Sequence, residues 1–282
     1  MGERYFSESR STAAVWRTLR ALAALTAIRC AFQRQWAGFF SCMMTLLLFL
    51  TLPLAGRLLR VKLPAAMQIT LLLFFFGACV LGETACFYLR FPFWDVLLHA
   101  VSGVLFAAFG FCLGNLLNKE RRVRLSPLLC AVTAFCFSMT TGVLWEFFEY
   151  AADHLLSLDM QKDTILRGFQ SVLLDPEQRN IPVSVGDIAE TVIRTGDGRE
   201  YVLQGYLDVG LHDTVKDLFV NFVGAAAFSV LGYVSLRRKG GLRFVSALIP
   251  VAEVPRGMEG MPISAARGAA FPVKPHKSLK KA

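Results

Sequence analysis

Six stretches of the chain, each long enough to cross a bilayer as a helix, carry few charges, and that pattern leaves little choice of fold. They run over residues 13–32, 36–55, 66–87, 95–117, 126–152 and 214–236. At 1.5 Å per residue, about 20 residues span about 30 Å of hydrocarbon. Lipid offers the backbone no hydrogen bonds, so such a run must satisfy itself as a helix. Composition agrees, with an apolar share of 55% and a mean hydropathy of +0.49, above the ~45–50% of soluble domains. The expected fold class is all-α: a polytopic helical membrane protein with about six transmembrane helices and a small extracytoplasmic α+β loop insertion.

The first stretch departs from the others because Arg17, Arg20 and Arg29 interrupt it. Either it spans, with the arginines snorkelling from its two ends, or it lies in the interface as a basic amphipathic helix and five spans remain. The six-span reading is adopted here. It leaves 1–12 as a cytoplasmic N-terminus, and those residues, MGERYFSESRST, lack the pattern of a cleaved signal peptide.

Lysine and arginine set the expected orientation. Arg57, Arg60 and Lys62 follow the second stretch, Lys119, Arg121, Arg122 and Arg124 the fourth, and Arg237, Arg238 and Lys239 the sixth. All three groups fall on one side, which is taken as cytoplasmic, with both termini on it and the cytoplasmic (inner) membrane as the location. This bias accounts for the net charge of +9 without a nucleic-acid partner. The seven cysteines all lie inside the apolar stretches, which excludes a disulfide framework in the water-facing loop.

That loop, residues 154–212, is read as an extracytoplasmic insertion. In DTILRGFQSVLLD, residues Ile165, Leu166, Phe169, Val172 and Leu173 recur at helical spacing behind Asp163, predicting a helix on the membrane surface. ETVIRTGDGREYVL centres a Gly-Asp-Gly between β-prone runs and predicts a hairpin. Residues 237–282, rich in Gly, Pro, Ala and Lys, predict a basic disordered tail.

The same topology gathers the acids of the apolar stretches at one depth. Glu83 ends the third; Asp95 and His99 begin the fourth; Glu146, Glu149 and Asp153 end the fifth; Asp213, Asp217 and Asn221 begin the sixth. Spacings of three and four put each set on one helix face. An acid at mid-bilayer costs about 2.5–3.5 kcal/mol, against the roughly 0.3–0.6 kcal/mol returned by each large apolar residue. These groups must therefore face one another, bound ions or water. Gly103, Gly142 and Gly224 lie near the same faces and predict close helix approach.

The carboxylates with His99 match the oxygen-plus-nitrogen donor set of Mn, Fe, Zn or Mg sites. His99, Glu149, Asp213 and Asp217 are the candidate ligands of a divalent metal ion, and Glu146, Glu149 and Asp217 the candidate catalytic groups. Against this stands a structural reading: Glu146, Glu149 and Asp217 as an interhelical hydrogen-bond network, His99 as a packing partner of Asp95, Glu83 as an interfacial cap, and Trp94 and Trp145 as interfacial anchors.

WDVLLHAVSGVLFAAFGF, WEFFEYAADHLLSLDMQKDT and LHDTVKDLFVNFVGA together resemble the YjdF-like family of bacterial inner-membrane proteins. Glu149 followed by Asp217, Asn221, Gly224 and Ala225 is more distantly similar to the VanZ-like envelope proteins. The resemblance implies a membrane protein of the bacterial envelope and supplies no reaction. Three functions remain open: a metal-dependent enzyme acting on a lipid-linked or envelope substrate, a proton- or cation-coupled transporter, and a non-catalytic protein whose cluster packs the bundle while the loop binds an envelope lipid or membrane-protein partner.

Overall fold

The computed structural model describes residues 9–59, 61–119, 125–238 and 241–252. Helices α1 (Arg10–Phe32) and α2 (Trp36–Leu59) form a hairpin, followed by α3 (Ala65–Phe75), the short α4 (Phe87–Arg90), α5 (Trp94–Lys119), α6 (Pro127–Leu156), α7 (Leu211–Arg237) and α8 (Arg243–Leu248). Among the described residues, five segments are long and apolar enough to cross a membrane: Trp36–Leu54, Ala65–Thr84, Trp94–Asn115, Pro127–Leu156 and Leu211–Arg237. The protein is a polytopic helical membrane protein. Helix α1 has the length but not the composition, because its arginines lower its hydropathy. It packs along α2 through Leu19, Ala23 and Ala27, while Arg17 and Arg20 are exposed, Arg20 over the Trp16 ring at 4.2 Å.

The third span is not uniformly α-helical. From Phe76 to Thr84 it widens into a π-helix, whose looser turns leave carbonyls free for outside donors. Gly77 O accepts the Trp94 indole N–H at 3.1 Å, and Cys79 O accepts the Ser41 hydroxyl at 3.2 Å. Trp94 is thereby tied inward to this helix rather than serving only as an interfacial anchor.

The strands are short: β1 (Val61–Lys62), β2 (Thr164–Leu166), β3 (Phe169–Ser171), β4 (Val183–Val185), β5 (Thr191–Arg194), β6 (Glu200–Leu203), β7 (Tyr206–Asp208) and β8 (Val251–Ala252). The insertion between α6 and α7 holds three antiparallel pairs. β2 runs against β7 at its base, β3 against β4, and β5 against β6 with Arg194 facing Glu200. The last pair is the expected hairpin, turned at Gly198 with φ +84°.

Two expectations fail. The surface helix over 163–173 is replaced by β2, β3 and a 3-10 turn at Val172–Leu174, because these strands pair with β7 and β4, partners far along the chain. Residues 241–252 are not a disordered tail. They form α8, whose Val245 and Leu248 are buried in the core, and β8, which pairs with β1. Arg237 closes α7 and Arg238 caps it, and residues 239–240 and 253–282 of the expected tail lie outside the described residues.

Helices α5, α6 and α7 form the unit that positions the site. Glycine brings their backbones into direct contact. A Cβ on Gly103 of α5 would stand 2.5 Å from the Asn221 carbonyl oxygen, and one on Gly224 of α7 would stand 2.5 Å from that of Ala100. On Gly142 of α6 it would meet the Asn221 amide at 2.7 Å. Small residues at such crossings are what lipid-embedded helices use to maximise dispersion contact.

Candidate functional site

Because α5 and α7 run parallel and α6 antiparallel to them, the starts of α5 and α7 and the end of α6 lie together, at the end of the bundle that carries the insertion. At this end α6 and α7 invert the burial pattern of a water-soluble helix. Trp145, Phe147, Phe148 and Tyr150 are exposed while Glu146 and Glu149 are 4% and 8% exposed. On α7, Val215, Phe219 and Phe222 face out while Asp213, Asp217 and Asn221 are buried. A helix with its polar stripe inward suits a lipid surround and a polar interior.

Asp95 and Asp213 sit in the first turns of α5 and α7, where the unpaired N–H groups of a helix start favour anions. One turn further in, His99 Nε2 stands 3.6 Å from Asp95 Oδ1 and 3.6 Å from Asp217 Oδ2. Both separations exceed a hydrogen bond. Among the described residues, donor atoms of Asp95, His99 and Asp217 lie within 4.8 Å of one another and could hold a metal ion. Asp217 is 1% exposed, and its Oδ1, like Asp95 Oδ2 and Glu146 Oε2, lacks a hydrogen-bond partner.

Lys216, which the stripe of acids did not reveal, reaches into the same place. Its Nζ lies 2.6 Å from Asp213 Oδ1, 3.4 Å from Asp95 Oδ2 and 3.6 Å from Asp217 Oδ1. The sequence signal was its i,i+3 relation to Asp213 on α7.

The other expected residues divide by role. Asp213 Oδ2 accepts the Lys162 backbone N–H at 2.9 Å, and Asp153 accepts those of Met160 and Gln161 at 2.6 and 2.9 Å. These two acids fold the start of the insertion over the helix ends, and the Gln161 side-chain amide donates a hydrogen bond to the Thr214 hydroxyl at 2.6 Å. Glu146 and Glu149 are buried on α6. Neither belongs to the three-residue group that converges. Glu83 is exposed at the end of the π-helix. Of the expected ligands, His99 and Asp217 converge, with Asp95 beside them, while Glu149 and Asp213 fall outside that group.

Deeper in, Asn221 links all three helices. It accepts from the Ser102 hydroxyl at 3.5 Å and donates to Ser138 O at 3.4 Å, while the Ser138 hydroxyl donates to Gly103 O at 2.9 Å. Tyr88, also missed from sequence, packs its ring on Gly82. Burial pushes its phenol well above the ordinary value, and the Asp95 and Glu83 carboxylates add to the shift.

The family model DUF2238, described as a predicted membrane protein, matches residues 13–238. The chain belongs to this family. The match takes in every residue named above at the insertion end of the bundle. No curated protein and no solved structure matches the chain.

Proposed function

We propose that this DUF2238 protein is a bacterial envelope membrane protein that holds a divalent cation through Asp95, His99 and Asp217 at the outer end of α5 and α7. The observation that carries the reading is Asp217: a carboxylate 1% exposed, with one oxygen that accepts no hydrogen bond, facing a second carboxylate and an imidazole. Leaving such a group buried and under-satisfied is costly, and a cation is the partner that satisfies both acids and the imidazole at once.

The donors fit. Ligands roughly 2.0–2.2 Å from one ion stand about 3–3.5 Å apart, so pairs at 3.6 Å close on an ion with small side-chain rotations. Two oxygens and one nitrogen suit Zn, Mn or Fe. When bound, such an ion supplies Lewis acidity and a more acidic water. Glu146 and Glu149, buried on the adjacent helix, are the candidate groups to move a proton from it. The depth of the polar groups, which lie at one level and not along a path, favours the enzyme reading, on a lipid-linked or envelope substrate reached from the outer face, over a transporter reading. The outer assignment rests on Arg57, Lys119 and Arg237 at the opposite helix ends, with both termini then cytoplasmic. The YjdF-like and VanZ-like resemblances support an envelope setting.

A packing role is the second reading, favoured by Lys216, which already bridges three acids. Metal analysis separates the two. Protein purified, equilibrated with Mn²⁺ or Zn²⁺ and desalted should retain stoichiometric metal; His99→Ala and Asp217→Asn should lose it, and Glu83→Gln should keep it. Wild-type protein without stoichiometric metal removes the cation reading and leaves packing.

A further inference from the structure

We infer that Lys216 is a tethered competitor for the cation, so that loading the site and moving this ammonium onto Asp213 are one event. The inference rests on the cation reading above and concerns what controls that site. Asp95 presents Oδ1 to His99 and Oδ2 to Lys216; Asp217 presents Oδ2 to His99 and Oδ1 to Lys216. The ammonium thus engages the two carboxylates that would ligate the ion, and does so through the oxygens that hydrogen bonding leaves unused.

Its distances are unequal in an informative way. The contacts to Asp95 and Asp217, at 3.4 and 3.6 Å, are ion-pair contacts without hydrogen bonds, whereas Asp213 Oδ1 accepts a short hydrogen bond at 2.6 Å. Asp213 is outside the converging group and is fixed by the Lys162 backbone N–H on its other oxygen. It provides a post to which the ammonium stays bonded when it leaves the other two acids. The Lys216 side chain is 44% exposed, so its flexible four-carbon stem has room to turn away. A dication and an ammonium within about 4 Å of each other repel strongly in a partly buried site, which makes them alternatives on these carboxylates and not co-occupants.

Lys216 and Asp213 therefore have opposite effects on affinity. Lys216→Met removes the competitor and should tighten Mn²⁺ binding about tenfold. Asp213→Asn keeps an acceptor for Lys162 but weakens the post, leaves the ammonium on Asp95 and Asp217, and should weaken binding several-fold. The double variant should bind close to the Lys216→Met level, because Asp213 acts through Lys216. Free Mn²⁺ measured by electron paramagnetic resonance during titration of each protein in detergent reads these affinities directly. Wild type that binds with Lys216→Met unchanged or weaker overturns the competitor role while the cation site stands. Absence of binding in all four proteins overturns both. Should Lys216→Met fail to fold, Asp213→Asn decides alone, and unchanged or tighter binding there overturns the inference.

Discussion

The hairpin of α1 and α2 with the third span, and the unit of α5, α6 and α7, lie in the same membrane but are held by different means. The first packs side chain on side chain: Phe49, Met67 and Leu72 are fully buried, and a Cβ on Gly38 would meet side chains, the Cys30 thiol and the Thr84 methyl, both at 3.1 Å. The second packs backbone on backbone at Gly103 and Gly224, and inserts Asn221, Asp217 and Glu146 between helices. In lipid, apolar contact gives no preference for a protein neighbour over an acyl chain, so a helix pair that must be fixed in register uses close approach and polar bonds. The unit fixed in that way is the one bearing the candidate site.

Substitutions sharpen this contrast. Gly224→Leu should have the largest effect, more than about 4 kcal/mol, because its side chain would collide with the Ala100 carbonyl, which cannot step aside; loss of a cooperative melt in detergent would show it. Gly38→Ala, facing side-chain atoms at 3.1 Å in place of backbone at 2.5 Å, should melt within a few degrees of wild type, and equal damage from both would erase the distinction. In the side-chain-packed half, Phe49→Ala should cost about 3 kcal/mol through the cavity it leaves, read from the same melts. Asn221→Ala should cost about 1 kcal/mol, in the range of interhelical polar bonds in membranes. A loss as large as that of Phe49→Ala would mean that polar bonds dominate this half.

The smallest effect is local and lies outside the membrane. In the insertion Asp175 accepts the backbone N–H groups of Arg179, Glu177 and Ile181 at 2.7, 3.2 and 3.3 Å. Burial acts to raise its pKa, but these bonds outweigh it and hold the carboxyl below the usual range. A depressed folded-state pKa means that the turn is stabilised at neutral pH and loses that stability as pH falls below about 4. Hydrogen exchange at those amides should accelerate there while amides of α5 and α7 stay protected.

Much of the bundle was legible because lipid imposes a simple rule. A stripe such as Asp213, Asp217 and Asn221 on a helix of Phe, Val and Leu has to face inward, and it does. Gly103, Gly142 and Gly224 were readable for the same reason. Lys216 was not, because a reading that follows acids at four-residue steps passes over the residue beside them, though its side chain reaches the same pocket. Glu149 and Asp213 were placed among the ligands by shared depth, which fixes height along the bundle but not which side chains converge. The strands at 164–171 were misread since Ile165, Leu166, Phe169 and Val172 fit a helical period by coincidence. Gly168, whose Cβ position lies 2.8 Å from the Val185 carbonyl oxygen, marked the break between strands. The π-helix at Phe76–Thr84 has no sequence signature of its own and arises from tertiary bonds such as the one between Trp94 and Gly77.

The account turns on whether His99 shares an ion with Asp95 and Asp217. Pulsed electron paramagnetic resonance of the Mn²⁺-loaded protein tests this at the atom concerned: a nitrogen coupling from a directly bound imidazole is predicted in the wild type and should vanish in His99→Gln. Bound Mn²⁺ with no nitrogen coupling, or a coupling that survives His99→Gln, would contradict it.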